Sequence, residues 1–377
     1  MSNLRSSLSR CRRPVIKIGS AVLTGGAGKE LAPSLDRRKF ASLCDDIAAV
    51  AQGRTPVIVS SGAVALGVER LGFRQRPKEM ALKQAAAAVG QSRLMRLYDD
   101  ELETRGLRCA QVLLTHADIA NRSRYLNARR ALAELLGRNV VPVINENDTV
   151  SVEEIKFGDN DALAAMVVDL VEADLLVILT DAGGVYTSDP RRDPAARRIP
   201  EIERVTPEIE AVADSGSALG TGGMITKLRA ARRASEGGVA CAIVPGEPGV
   251  LQRLLAGEDV GTVVQQQGEP RGLRKRWMLD LKPRGLLVVD AGARTALIER
   301  KKSLLPRGVQ GVQGEFNAGD PVDIVSPEGP PFARGLSVYS AEEIRRILGC
   351  ASYEIEAKLG YRLLDCVVHR DDLVVTR

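Results

Sequence analysis

Histidine is nearly missing from this chain of 377 residues: there are two, His116 and His369, and neither has another nucleophile beside it in sequence. That argues against a nucleophile–histidine triad and against a histidine-ligated metal as the organising chemistry. Aromatic residues make up 3%, with a single Trp, too few for stacking on bases or sugars to be the main theme. Six cysteines (Cys11, Cys44, Cys109, Cys241, Cys350, Cys366) are scattered with no CxxC pair. This suits buried thiols in a reducing compartment better than a disulfide framework. No apolar run reaches membrane-spanning length, and the GxxxxGK[ST] phosphate loop is absent. These absences lead to the expectation of a cytoplasmic protein with no membrane partner.

What is present is 44% hydrophobic residue content, enough for a large core divided over about two domains. The formal charge of +5 is modest, and its excess is local. One part lies in a Ser/Arg-rich stretch, residues 1–13, that lacks acids and reads as a disordered tail, faintly like a transit peptide. The other lies in a basic linker, residues 266–284. From Arg284 onward thirteen Lys and Arg face thirteen Asp and Glu, unlike the clustered basic face that nucleic-acid binding requires.

The chain is organised around residues 139–190. Two apolar runs, Val140 to Ile144 and Leu175 to Leu179, read as buried strands. Between them a Gly-Asp-Asn-Asp turn opens onto the helix-period run Ala162 to Val171, with Asp159 as its expected cap. Further strands are expected at Pro14 to Ile18, Pro56 to Ser60, Cys109 to Leu114 and Val239 to Val244. Helical patterns cover Ser34 to Ala51, Lys78 to Arg105, Ser123 to Leu136, Pro207 to Ala213 and the stretch up to Ala234. Strand-then-helix alternation implies a parallel sheet covered on both faces, with ligands at the carboxyl ends of its strands. The expected boundaries are 14–265 for this α/β domain, a three-layer αβα sandwich, and 285–377 for a smaller, mostly β domain. In the latter, short strands are expected at 285–289, 296–298, 309–312, 321–325, 332–336 and 364–368, with a helix near Ala341 to Leu348.

Polar residues collect at those strand ends. Lys17 precedes Gly19 at the end of the first strand, and either meets an anion such as phosphate or snorkels to solvent from an edge. The glycine-rich run from Gly220 to Met224 leads to Lys227 at a helix start. It is either a phosphate cradle of backbone N–H groups, helix N-terminus and lysine, or a surface loop. Ser60, Ser61 and Gly62 can donate to a small acid or simply form a turn. Asn145, Asn147, Asp148, Asp159, Asn160 and Asp161 can grip an ammonium group, orient a lysine or hold Mg²⁺ through water, apart from turn and cap duty. Thr180, Asp181 and the glycines after them can lie against a nucleotide, with Tyr186 nearby. Two lysines and backbone amides without an evident general base suit phosphoryl transfer to a carboxylate, which is already ionised at neutral pH.

Seven motifs in order, VIKIGSAVLTGG, VIVSSGAVALG, AAVGQSRLM, VPVINENDTV, FGDNDALAA, LLVILTDAGGVYTSDPR and LGTGGMITKLRAA, resemble the glutamate 5-kinases of the amino acid kinase family. The region after them resembles a PUA domain. The resemblance implies the amino acid kinase fold with a mostly parallel sheet, and transfer of the ATP γ-phosphate to the side-chain carboxylate of L-glutamate in proline biosynthesis. It implies that Lys17 and Lys227 contact the phosphates, and that Ser61, Asp148 and Asn160 hold glutamate, with Asp148 also helping to position the lysines. Thr180, Asp181 and the run Thr221, Gly222, Gly223, Met224, Ile225, Thr226 and Lys227 would line the nucleotide site. ATP, Mg²⁺ bridging its β- and γ-phosphates, proline as feedback inhibitor and a homo-oligomer (dimer or tetramer) come with it. Two departures stand out: Gly19-Ser20-Ala21 where relatives often have Gly-Thr-Ser, and small Ala182 and Gly183 where bulkier polar residues are common. An acetylglutamate kinase or aspartokinase is the nearest rival. An RNA-binding role through the PUA-like domain is the rival of another class, opposed by its neutral charge and few aromatics.

Overall fold

In the computed structural model the described residues are 3–24, 35–73, 75, 77–150, 160–190, 192–214, 223–267, 282–327 and 329–375. The expected cap Asp159, the loop residues Thr221 and Gly222, and most of the basic linker lie outside them. The chain divides into two compact units, Met1–Pro270 and Arg271–Arg377.

In the first unit the strands are β1 (Pro14–Ile18), β2 (Val57–Ser60), β3 (Arg108–Leu114), β4 (Val140–Glu146), β5 (Leu175–Thr180), β6 (Glu201–Ile202), β7 (Ala240–Pro245) and β8 (Thr262–Val264). The helices are α1 (Asn3–Leu8), α2 (Ser20–Leu23), α3 (Arg37–Ala51), α4 (Ala63–Arg70), α5 (Met80–Glu103), α6 (His116–Ala120), α7 (Arg122–Gly137), α8 (Asn160–Val171), α9 (Pro207–Asp214), α10 (Met224–Glu236) and α11 (Val250–Leu255). The strands form one sheet in the order β3-β4-β2-β1-β5-β7-β8-β6. Pairing is parallel except between β7 and β8, which run antiparallel.

This order explains where the site lies. From β1 the chain passes to β2 on one side and returns to β5 on the other, so the strand order reverses at β1, the position where α/β sheets bind ligands. Side-chain parity then divides the central strand. Ile16 and Ile18 join the apolar layer of α3, α5 and α11. Val15 joins the opposite layer, with α8 and α10. Lys17 shares the parity of Val15, so its long side chain is on the α8 and α10 side.

Helix α8 is apolar nearly all round, with nine of its twelve residues buried, as expected for a helix pressed between a sheet and neighbouring helices. Helices α4 and α5 meet through glycine. A Cβ on Gly67 would lie 1.7 Å from the Ala86 carbonyl oxygen, and one on Gly90 would lie 1.7 Å from that of Ala63. Backbone touches backbone there, so only glycine fits.

The stretch expected to be a disordered tail folds instead. Its residues 3–8 form α1, with Leu8 and Arg5 each 4% exposed. The Arg5 guanidinium donates to the backbone oxygens of Pro200, Glu258, Val260 and Gly261. Composition concealed the apolar Leu4 and Leu8 at helical spacing, and a buried arginine with a full set of acceptors is an anchor. After Gly62, Ala63 begins α4.

In the second unit β9 (Gly285–Val289), β10 (Val309–Gly314), β11 (Pro321–Val325), β12 (Ala333–Ser337) and β13 (Val368–Val375) form a sheet in the order β10-β9-β11-β12-β13. Only β9 and β11 pair in parallel. The strand expected at 296–298 is the end of a helix, Ala291–Ile298, started by the side chain of Asp290 accepting from the Ala293 amide. The last strand begins at Val368 rather than at 364. Its approach is fixed by the Tyr339 hydroxyl, which donates to the Leu364 oxygen and accepts from the Leu363 and Leu364 amides.

Candidate active site

Two lysines from distant parts of the chain meet on one carboxylate. Lys17 Nζ lies 2.5 Å from Asp161 Oδ1, and Lys227 Nζ lies 3.3 Å from Asp161 Oδ2. Sheet parity supplies Lys17, while the first turns of α8 and α10 supply Asp161 and Lys227. All three side chains are buried, with Asp161 wholly inaccessible. The Thr226 hydroxyl is 2.9 Å from Asp161 Oδ2 and 2.8 Å from the Gly223 oxygen.

Burial alone would push the Asp161 carboxyl up. The charges of Lys17 and Lys227 and hydrogen bonds from Lys17 and Thr226 outweigh it and hold the group below the ordinary carboxylate range. Its place in the first turn of α8 favours the same charge state. One negative charge between two positive ones leaves a net cation facing the strand ends, suited to a phosphate whose charge grows or shifts during transfer.

Of the residues expected to line a nucleotide, Thr221 and Gly222 lie outside the described residues. Gly223 is the N-cap of α10 in extended conformation and provides no side-chain cap, so the amides at Met224 and Ile225 begin the helix without one. Thr180 ends β5. Its hydroxyl donates to Asp181 Oδ1 at 3.2 Å and accepts from the Ala182 amide, while its carbonyl accepts from Gly246. Asp181 itself is exposed. A Cβ on Gly183 would sit 2.7 Å from the Tyr186 hydroxyl. The small residue here is thus matched to a tyrosine that covers it, and larger side chains would displace that ring.

Among the residues expected to hold the acceptor, Asn160 is the hub. Its Nδ2 lies 2.8 Å from Ser61 Oγ and 3.0 Å from Asn145 Oδ1. Its Oδ1 is buried without a hydrogen-bond partner among the described residues. The Ser61 amide donates to the Ile18 oxygen, tying the loop after β2 to the end of β1. Gly62 follows with φ +109, in the left-handed region that favours glycine.

Lys17 and Lys227 thus meet on Asp161, whose neighbour Asn160 contacts Ser61. Asp148 is half-buried in the turn after β4, and both lysines also contact Asp161. Asp161 belonged to the polar set read from sequence, but its spacing alone did not separate it from its neighbours. Gln91 and Tyr98 were given no role. Gln91 Oε1 accepts from Asn145 Nδ2 at 2.8 Å, and the Tyr98 hydroxyl pairs with Ser60 Oγ at 2.9 Å. The signal that exposes both is polarity on a buried stripe: Ala87, Gln91, Leu94 and Tyr98 recur at helical spacing on one face of α5.

No disulfide joins the six cysteines, of which all but Cys109 are buried. Among the described residues no helix is long and apolar enough to cross a membrane.

Residues 12–245 match the amino acid kinase family, and residues 285–359 match the PUA domain. The chain is 53% identical over 378 residues to the glutamate 5-kinase of Myxococcus xanthus (strain DK1622), an alignment covering 100% of this chain and 99% of that relative. It is 51% identical over 374 residues to the glutamate 5-kinase of Syntrophotalea carbinolica, covering 98% and 99% of the two chains. With the glutamate 5-kinase of Deinococcus radiodurans it shares 51% identity over 366 residues, covering 96% and 99%. The chain belongs to the amino acid kinase family, where its full-length kinship is with the glutamate 5-kinases, and it carries a PUA domain behind the kinase unit.

Proposed function

We propose that this chain transfers the γ-phosphate of ATP to the side-chain carboxylate of L-glutamate, giving L-glutamyl 5-phosphate and ADP as the first step of proline biosynthesis. The observation that carries the reading is the Lys17–Asp161–Lys227 bridge: two buried ammonium groups held in place by one carboxylate at the reversal point of the sheet.

An oxygen of the glutamate side chain attacks the γ-phosphorus while the bond to the β-bridging oxygen breaks, and the electron pair leaves with ADP. No proton has to be removed, because the acceptor carboxylate is ionised at neutral pH. The protein's contribution is position and charge. Lys17 and Lys227 spread positive charge over the transferring group, and Asp161 keeps both ammonium groups aimed. Ser61, Asn160 and Asp148 hold the amino acid, with the buried Asn160 Oδ1 available to its ammonium group and Asp148 supplying a negative charge. Thr180, Asp181 and the run Thr221 to Lys227 line the nucleotide.

Mg²⁺, supplied with the nucleotide, would offset the negative charge of its phosphates. Asp161 is already committed to two lysines, and the described residues hold no cluster of three or more His, Cys, Asp or Glu side chains. Asn145, Asn147 and Asp148 at the end of β4 would hold the metal through water. Proline inhibition at the acceptor pocket, assembly into a dimer or tetramer and residence in the cytoplasm belong to the same reading, supported by the kinship with glutamate 5-kinases.

The test is to trap the product with hydroxylamine, which converts an acyl phosphate into a hydroxamate, while ADP release is compared for L-glutamate, N-acetylglutamate, aspartate and carbamate. Hydroxamate formed with L-glutamate in preference to the others is expected. Turnover of another acid with glutamate inert overturns the assignment.

A further inference from the structure

Glutamine 91 lies outside every part of the site assigned above, yet it terminates the hydrogen-bond chain that reaches the acceptor. It is 9% exposed on the inner face of α5. Its Oε1 accepts from Asn145 Nδ2 at 2.8 Å. Asn145, 3% exposed at the carboxyl end of β4, accepts on its Oδ1 from Asn160 Nδ2 at 3.0 Å and from the Glu146 amide at 2.9 Å.

The direction of this chain is forced. A backbone N–H can only donate, so the end of Asn145 facing Glu146 must be its oxygen. The other end is then the amide nitrogen, which needs an acceptor, and Gln91 provides it. The oxygen of Asn145 in turn requires the nitrogen of Asn160, leaving the Asn160 oxygen as a buried acceptor without a partner among the described residues. Close backbone contact at Gly90, whose Cβ would strike the Ala63 oxygen, sets α5 at the depth where Gln91 reaches Asn145.

We infer that Gln91 is a positioning residue for the acceptor, fixing Asn145 so that Asn160 presents its oxygen to the α-ammonium group of the amino acid. This rests on the assignment of Asn160 to the acceptor. Loss of the Gln91 acceptor leaves Asn145 Nδ2 buried and unpaired, which favours rotation of that amide and scrambles the polarity handed to Asn160.

The experiment compares Gln91→Met, which keeps length and loses the acceptor, with Gln91→Glu, which keeps an oxygen at the same reach. Asn160→Ala is measured alongside in the full chain. Gln91→Met is expected to raise KM for glutamate about tenfold, the effect of losing one net hydrogen bond, with KM for ATP within about twofold. Gln91→Glu is expected to recover most of the difference, and Asn160→Ala to raise KM for glutamate selectively. Gln91→Asn, one methylene too short, gives the same comparison if the Met variant yields no folded protein. An unchanged glutamate KM in Gln91→Met, or equal rises for both substrates, overturns the proposal while a selective Asn160→Ala effect leaves the acceptor assignment intact. An Asn160→Ala enzyme with normal glutamate KM removes that assignment and the role of Gln91 with it.

Discussion

Lys17 and Asp161 sit with ammonium nitrogen and carboxylate oxygen 2.5 Å apart at a depth where neither is open to solvent. Such a buried pair is strongly destabilising when only one partner is removed, by about 3–5 kcal/mol. Asp161→Asn should therefore both lower stability and cripple turnover. The pH dependence has a definite sign. The carboxyl is held below its ordinary range, so its stabilising contribution is complete above about pH 4, the unfolded value. It is lost as pH falls through the lower folded value. Thermal unfolding followed from pH 7 down to pH 3 should show the wild type losing stability in the acid range while Asp161→Asn stays comparatively flat. Parallel curves would contradict the linkage.

Each lysine faces the same carboxylate from a different element, and each is expected to meet phosphate. Lys17→Ala and Lys227→Ala should lower kcat by about 10²–10³ apiece, the usual effect of removing one preorganised charge from a transition state. Arginine should not rescue either position, because its planar fork cannot occupy the space of a single ammonium between β1, α8 and α10. Single-turnover rates distinguish this from slow product release, and a chemical step of normal speed in either alanine variant would count against the assignment.

Asp148 was expected to hold the ammonium group of glutamate and to help position the lysines, both of which also contact Asp161. If Asp148 partners the ammonium of glutamate, Asp148→Ala raises KM for glutamate by about tenfold or more. KM for ATP stays near wild type, because the lysine bridge depends on Asp161. Initial-rate kinetics with each substrate varied in turn decide the matter. Identical glutamate kinetics in the variant would remove Asp148 from the acceptor site.

The parallel sheet, most strand ends and both lysines were legible because they depend on local pattern: short apolar runs, then glycine or small polar residues. The bridge that Asp161 makes between the lysines was not, since Asp148 and Asp161 both follow strands or turns rich in acids. It depends on side-chain parity in β1 matching the first turns of two helices far along the chain. Helix α4 went unread because Ser61-Gly62 carries strong turn chemistry, and Gly62 indeed adopts a left-handed φ before the helix starts. Gln91 was hidden by the alanines around it, whose small side chains reveal little about which face of α5 is buried.

Those same alanines and glycines make the α4–α5 contact unusually intolerant. A methyl group at Gly90 would lie 1.7 Å from the Ala63 oxygen, two residues beyond Ser61. Gly90→Ala gains helix propensity of about 1 kcal/mol, but overpacking of this kind costs about 1–3 kcal/mol, and more when the obstacle is backbone. A lower Tm is therefore expected, with glutamate KM rising as Ala63 carries the acceptor loop aside. Gly53→Ala, where a methyl group would meet nothing within 4 Å, should leave both quantities unchanged. Equal behaviour of the two variants would show that the helices can part without consequence.

Arg5 is the last case, because its sequence context concealed an anchor. Its guanidinium reaches the carbonyls of Pro200, Glu258, Val260 and Gly261 and pairs with Asp259 at 2.9 Å. These oxygens belong to the turn before β8 and to the approach to β6, the two strands at the end of the sheet that depart from its common direction. Arg5→Ala leaves several buried carbonyls without their donor, at a cost on the order of 1–3 kcal/mol for each one that water cannot reach. Arg5→Lys should recover little, since a single ammonium cannot span four oxygens that a planar fork holds together. Urea unfolding should show a lower midpoint for both variants, and hydrogen exchange should localise the loosening to residues 257–264 while the lysine bridge at β1 keeps its protection. Wild-type stability in Arg5→Ala would mean that the end of the sheet holds itself together without α1.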